Sequence, residues 1–162
     1  MSTRIRHTLT YDASLNDVAA MLADPEFREQ VCEATGMVRH KVTVTGAGTG
    51  MYVEIDEVQS TAGVPSFAQK FVGDEINIVQ VEQWTSVDSA DVAVSIPGRP
   101  GEMSGSITLR ESGGTTTEEV VLDIRVGVPL VGGKIEKLVG DLLVTALKIE
   151  NATGRGYLSA RS

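Results

Sequence analysis

Residues 127–149, GVPLVGGKIEKLVGDLLVTALKI, mark the point where the chain changes its period. Pro129 ends a long stretch of two-residue alternation. Behind it Ile135, Leu138, Val139, Leu142, Leu143, Ala146, Leu147 and Ile149 recur at helical spacing. Lys134, Glu136, Lys137, Asp141, Lys148 and Glu150 lie mostly outside that stripe. The pattern predicts a helix from about Gly132 to Thr153, roughly 33 Å long at 1.5 Å per residue. Gly154 is the expected cap, with a frayed tail after it. A helix with one wide apolar face needs a sheet to cover it.

The sheet lies upstream. From residue 37 to 128 apolar side chains fall on alternate positions: Val38, His40, Val42 and Val44, then Met51, Val53 and Ile55. Val92, Val94 and Ile96 follow, then Met103, Gly105, Ile107 and Leu109, and finally Val120, Leu122, Ile124 and Val126. GAGTG at 46–50, IPGRPGE at 96–102 and Gly113-Gly114 are turns, and turns this frequent describe hairpins rather than parallel crossovers. The strand at 75–86, EINIVQVEQWTS, is mixed on both faces, so its inward side stays open. At the start, Ile5, His7, Leu9 and Tyr11 form one side of a strand over 4–11. Asp12 or Ser14 caps a helix over Leu15 to Leu22, and Asp24-Pro25 opens a second that runs to about Ala34 and stops at Gly36.

This order gives an α+β chain, a single domain over residues 1–162. A curved antiparallel sheet of six or seven strands wraps around the C-terminal helix, with two short helices after strand 1. Twisted strands around one helix leave a gap unless bulky side chains fill it. Aromatic residues make up only 4% of the chain, so an open apolar interior is expected, and with it a binding function.

Composition removes several alternatives. Fourteen basic residues against 22 acidic leave a net charge of −8, which argues against nucleic acid and anionic membrane surfaces. The first residues hold no continuous apolar run for a signal peptide, and no stretch reaches the ~20 residues that span a bilayer. A cytoplasmic location without integral membrane association is the expectation, and the lone Cys32, with no partner for a disulfide, fits it. Two histidines and one cysteine, with no H-E-x-x-H or C-x-x-C, point to no metal and no cofactor. The glycines at 46–50 join two strands rather than opening a helix, so they read as a turn and not as a phosphate loop.

Three stretches carry a family resemblance: 9–31 (LTYDASLNDVAAMLADPEFREQV), 64–84 (VPSFAQKFVGDEINIVQVEQW) and 127–143 (GVPLVGGKIEKLVGDLL). With the element order, they make the chain similar to the START-like, helix-grip superfamily, which includes polyketide cyclases and pathogenesis-related plant proteins. Within it the chain resembles a bacterial branch known only as a domain of unknown function. The resemblance implies a deep pocket for a lipid, sterol, polyketide or similar molecule, and brings no universal catalytic residue.

The expected ligand-binding residues follow from parity and from the helical stripe. From the strands they are His40, Val42, Met51, Val53, Met103, Ile107, Leu122 and Ile124, and from the helix Leu138, Leu142 and Leu147. Glu82 and Trp84 join them if their parity faces inward, bringing a carboxylate and an indole N–H. Phe67 and Phe71, i and i+4 after a helix start at Pro65-Ser66, form a lid over the mouth or a fixed piece of core. His40 is the preferred polar anchor. His7 shares its chemistry, and Cys32 with His40 reads as core rather than as nucleophile and base. No catalytic residue is assigned. The leading function is a binder or carrier of a small hydrophobic molecule. The alternative is a cyclase-, aromatase- or hydratase-type enzyme using the same cavity, and a protein-interaction module ranks third.

Overall fold

The structure, a computed structural model, describes residues 2–161 apart from the Phe71 side chain. Strand β1 (Thr3–Tyr11) leads into helices α1 (Leu15–Leu22) and α2 (Pro25–Ala34). Strands β2 (Arg39–Thr45) and β3 (Tyr52–Ser60) follow, then the short helix α3 (Ser66–Val72) and strand β4 (Glu75–Ser86). Strands β5 (Ser89–Ser95), β6 (Glu102–Ser112) and β7 (Thr115–Arg125) complete the sheet, and α4 (Gly132–Ser159) closes the chain. The seven strands form one sheet in the order β1-β7-β6-β5-β4-β3-β2. Every neighbouring pair is antiparallel.

That order puts β1 and β2 at opposite edges. The segment joining them, α1 and α2, therefore has to cross from one edge of the sheet to the other. Both helices start where the side chains dictate. Ser14 Oγ accepts from the Asp17 amide at 3.1 Å, and Asp24 Oδ1 accepts from the Glu26 amide at 2.9 Å, with Pro25 at the first helical position. Ser66 does not cap α3. It is the first helical residue, preceded by Pro65, and no side chain caps that end.

Helix α4 runs past Gly154, where the sequence suggested a stop. It spans 28 residues and ends at Ser159, because its C-terminal turns are held in the interior. Tyr157 packs edge-on against Phe27, with ring centroids 5.4 Å apart, and its hydroxyl donates to Asp24. Gly154 is a contact point, not a cap: a Cβ there would lie 2.7 Å from Tyr11 Cε1. Gly140, about two turns into α4, would carry its Cβ 3.0 Å from Ile5 Cγ2. These two glycines let α4 lie close against β1 along most of its length.

The interior is consequently divided. Leu9, Tyr11, Val18, Met21, Leu22 and Phe27 fill the end under α1 and α2. Between α4 and the middle of the sheet the lining is mostly Val, Ile, Leu and Met, and these side chains do not reach across. No helix among the described residues is long and apolar enough to cross a membrane.

Candidate functional site

The gap between α4 and the concave face of the sheet is a cavity of about 300 Å³, at the small end of the usual range for ligand pockets. That is on the order of ten water volumes. Strand β5 contributes Val92 and Val94, β6 contributes Met103 and Ile107, and β7 contributes Val120, Leu122 and Ile124. Helix α4 faces them with Leu138, Leu142 and Leu147. Each strand supplies alternate residues, as a pleated sheet must.

The cavity has two unlike ends. One is rimmed by α3, the β5–β6 loop and the N-terminal half of α4, where Val64, Val72, Pro100, Val128 and Ile135 reach it. Val64, Val72, Val128 and Ile135 are only half-buried there and Pro100 is exposed, which makes this end the mouth. The other end is reached by Arg28, Glu82, Glu118 and Glu150. Ile135 and Glu150 lie on one helix, so the two ends are about 22 Å apart along its axis.

The deep end is built around an ion pair that the sequence did not reveal. Arg28 and Glu82 are 3% and 0% exposed. Arg28 Nη1 and Nη2 donate to the two Glu82 oxygens at 2.8 Å each, and Arg28 Nε donates to the Leu22 carbonyl at 2.9 Å. Trp84 Nε1 and Gln80 Nε2 also donate to Glu82, at 3.0 and 2.7 Å. Burial pushes the Glu82 carboxyl up, but Arg28's charge and these hydrogen bonds more than offset it and hold it below the usual range. Burial opposes the Arg28 charge as well, and Glu82 outweighs that. This strand therefore turns Ile76, Ile78, Gln80, Glu82 and Trp84 inward, which settles the parity left open above.

Beside this pair stand two further carboxyls. Glu118 is 1% exposed, and its Oε1 has no hydrogen-bond partner. Burial, with the charge of Glu150 adding to it, raises its carboxyl well above the ordinary 4.5. Glu150 on α4 is pushed up to about 7, chiefly by burial and then by the charges of Glu82 and Glu57. The sequence reading missed Glu118, although its parity with Val120, Leu122 and Ile124 was the signal that marks it as inward.

Because the folded chain keeps Glu118 protonated where an unfolded carboxyl has ionised, the fold binds more protons than the unfolded chain. Stability then falls as pH rises from about 4.5 through the raised value. Glu118→Gln is expected to remove that loss. At pH 8 it should add about 1–3 kcal/mol, with about 2–4 °C in Tm per kcal/mol. Thermal melts of both proteins at pH 5 and pH 8 check this, and equal pH dependence in the two would contradict it.

Of the residues expected at the site, Glu82, Met103, Ile107, Leu122, Ile124, Leu138, Leu142 and Leu147 lie on the cavity wall. Val42, Met51, Val53, Trp84 and Phe67 do not, and the Phe71 side chain lies outside the described residues. Met51, Val53 and Trp84 are buried core, while α3 turns Ala68 and Val72 rather than Phe67 to the cavity. His40 is also absent from the wall. It faces inward on edge strand β2, but α2 lies over that strand, and His40 Nε2 sits 2.5 Å from Glu29 Oε2. Cys32 reaches the cavity but donates toward Glu57 Oε2 at 3.6 Å, and burial pushes its thiol up to about 12, which favours the neutral thiol. Among the described residues no group of three or more His, Cys, Asp or Glu side chains is placed to hold a metal ion.

A seven-stranded antiparallel sheet closed on a long C-terminal helix, with two short helices after the first strand, is the helix-grip fold of the START-like superfamily. The chain belongs to the family described as Protein of unknown function (DUF2505), whose model matches residues 6–158. No curated protein matches it in sequence. Solved structures share its fold at low identity. A protein from Thermus thermophilus is 15% identical with a TM-score of 0.68, covering 99% of each chain. A START superfamily protein from Mycobacterium smegmatis is 12% identical with a TM-score of 0.60, covering 98% of this chain and 99% of that one. Norcoclaurine synthase from Thalictrum flavum, in complex with dopamine and hydroxybenzaldehyde, is 17% identical with a TM-score of 0.52, covering 94% of this chain and 86% of that one.

Proposed function

We propose that this chain, as one domain over its whole length, binds or carries a small, largely apolar molecule in the cavity between sheet and α4, and does so in the cytoplasm. The observation that carries the reading is the cavity itself: about 300 Å³ with an aliphatic wall, one mouth and one polar end. A well-packed domain leaves few voids of this size. An apolar space with a few convergent polar groups is the usual form of a small-molecule site. The complex of norcoclaurine synthase with two small molecules supports the same use of the fold.

The test is uptake of a hydrophobic fluorescent probe by the native chain. Saturable one-to-one binding is expected, reversed by aliphatic competitors. Val94→Phe places a ring in the cavity and should weaken uptake at least about tenfold, at about 1–3 kcal/mol of stability from overpacking. Unchanged uptake by folded Val94→Phe protein would place the site elsewhere.

The enzyme reading, a cyclase-, aromatase- or hydratase-type reaction in the same cavity, draws on one observation. Glu150, inside the cavity, titrates near pH 7, where a general acid or base works best. A ligand recovered chemically unchanged after prolonged incubation decides for the binder, and one recovered altered decides for the enzyme.

A further inference from the structure

The deep end of the cavity is unbalanced in charge and in hydrogen bonds. Glu57, Glu82, Glu118 and Glu150 reach it, against the single guanidinium of Arg28. Arg28 is already occupied, with its two terminal nitrogens on Glu82 and its Nε on the Leu22 carbonyl. Glu82 is saturated by Arg28, Trp84 and Gln80. Glu118 is different, because its Oε1 is buried on the wall with no donor facing it. Buried acceptors in native proteins are almost always paired. Here the missing partner is a donor: the Tyr11 hydroxyl, also unpaired, makes no hydrogen bond to it, and the cavity that Glu118 lines leaves space for one.

We propose that the ligand carries a basic nitrogen, held as an ammonium group between Glu118 and Glu150 at the deep end, with its apolar body toward the mouth. This rests on the reading of the chain as a binder and adds the chemical class of the head group. A hydroxyl would satisfy one acceptor but bring no charge to offset Glu118 and Glu150 as they ionise. A carboxylate would add a negative charge where acids already outnumber Arg28. An ammonium group brings several donors and the missing positive charge, and a buried charge-assisted hydrogen bond is about twice as strong as a neutral one.

The groups around that nitrogen come from every side: Glu118 from β7, Glu150 from α4, Arg28 from α2, Glu82 from β4 and Glu57 from β3 line the cavity, and the Tyr11 hydroxyl of β1, off the wall, feels the charges of Glu118 and Glu150. Glu150 is pushed up to about 7, so amine affinity should rise between pH 6 and pH 8.

The test displaces the fluorescent probe from the full chain with decylamine, 1-decanol and decanoic acid, which share one alkyl chain. Decylamine is expected to bind at least about tenfold more tightly than decanol, and decanoate more weakly than either. In the Glu118→Gln, Glu150→Gln double variant the amine should fall to the level of decanol, whose own binding stays and shows that the variant is folded. An acid that binds as tightly as the amine overturns the inference while leaving the binder reading intact. So does an amine advantage that survives in the double variant, since general attraction to a chain of net charge −8 would do that. If none of the three displaces the probe, the binder reading itself fails, and the inference with it.

Discussion

Glu82→Ala should lower folding stability by about 3–5 kcal/mol, because it leaves the Arg28 guanidinium charged and unpaired in the interior. Arg28 is 3% exposed and its terminal nitrogens have no other acceptor in their hydrogen bonds. The indole of Trp84 and the amide of Gln80 would lose their acceptor too. Urea denaturation of the variant against the wild-type chain measures the loss. The paired replacement Arg28→Met, Glu82→Leu should recover most of it, since apolar residues of similar volume often match a buried ion pair. The pair also sets the acid limit. The Glu82 carboxyl is held below its ordinary 4.5, so its contribution is complete above that value and is lost as pH falls through the depressed one. With Glu118 acting in the opposite direction on the alkaline side, stability should peak on the acid side of neutrality.

Gly105→Ala should be as damaging, by a wholly different route. Gly105 sits on the cavity side of β6 between Met103 and Ile107, opposite Leu122 of β7. A Cβ built there would lie 1.7 Å from the Val121 carbonyl oxygen, an atom of the neighbouring strand's backbone that no rotamer change can move. Even one methyl group would force β6 and β7 apart in the region where both line the cavity. A loss of about 4 kcal/mol or more is expected, among the largest single-substitution effects. A soluble Gly105→Ala chain with wild-type Tm would show that the strands separate at no cost.

These two sites also show what could be read from the residues and what could not. Period two between 37 and 128 and period 3.6 after Pro129 are properties of the backbone geometry, and burial imposes them on the sequence whatever the partner. The sheet, the two capped helices and the long α4 were legible for that reason. Strand β4 resisted because its inward face carries Gln80 and Glu82. Those are surface residues by composition, and the partner that makes them interior, Arg28, lies 54 positions away on α2. His40 lies off the cavity wall for a different reason. Its parity was right, but alternation reports the face of a sheet and not what covers that face, and over β2 the cover is α2 with Glu29. Glu118 shares its parity with three aliphatic neighbours, so position marked it as inward while charge argued against. Gly154 shows that a glycine near a helix end serves close packing as readily as capping.

The central claim, that the space between sheet and α4 holds one small molecule, is tested most directly by native mass spectrometry of chain purified without added ligand. The expected spectrum shows the chain with one small noncovalent mass, displaced one for one by decylamine or decanol and lost in Val94→Phe. A spectrum of bare chain, unshifted by either compound at saturating concentration, would contradict the account.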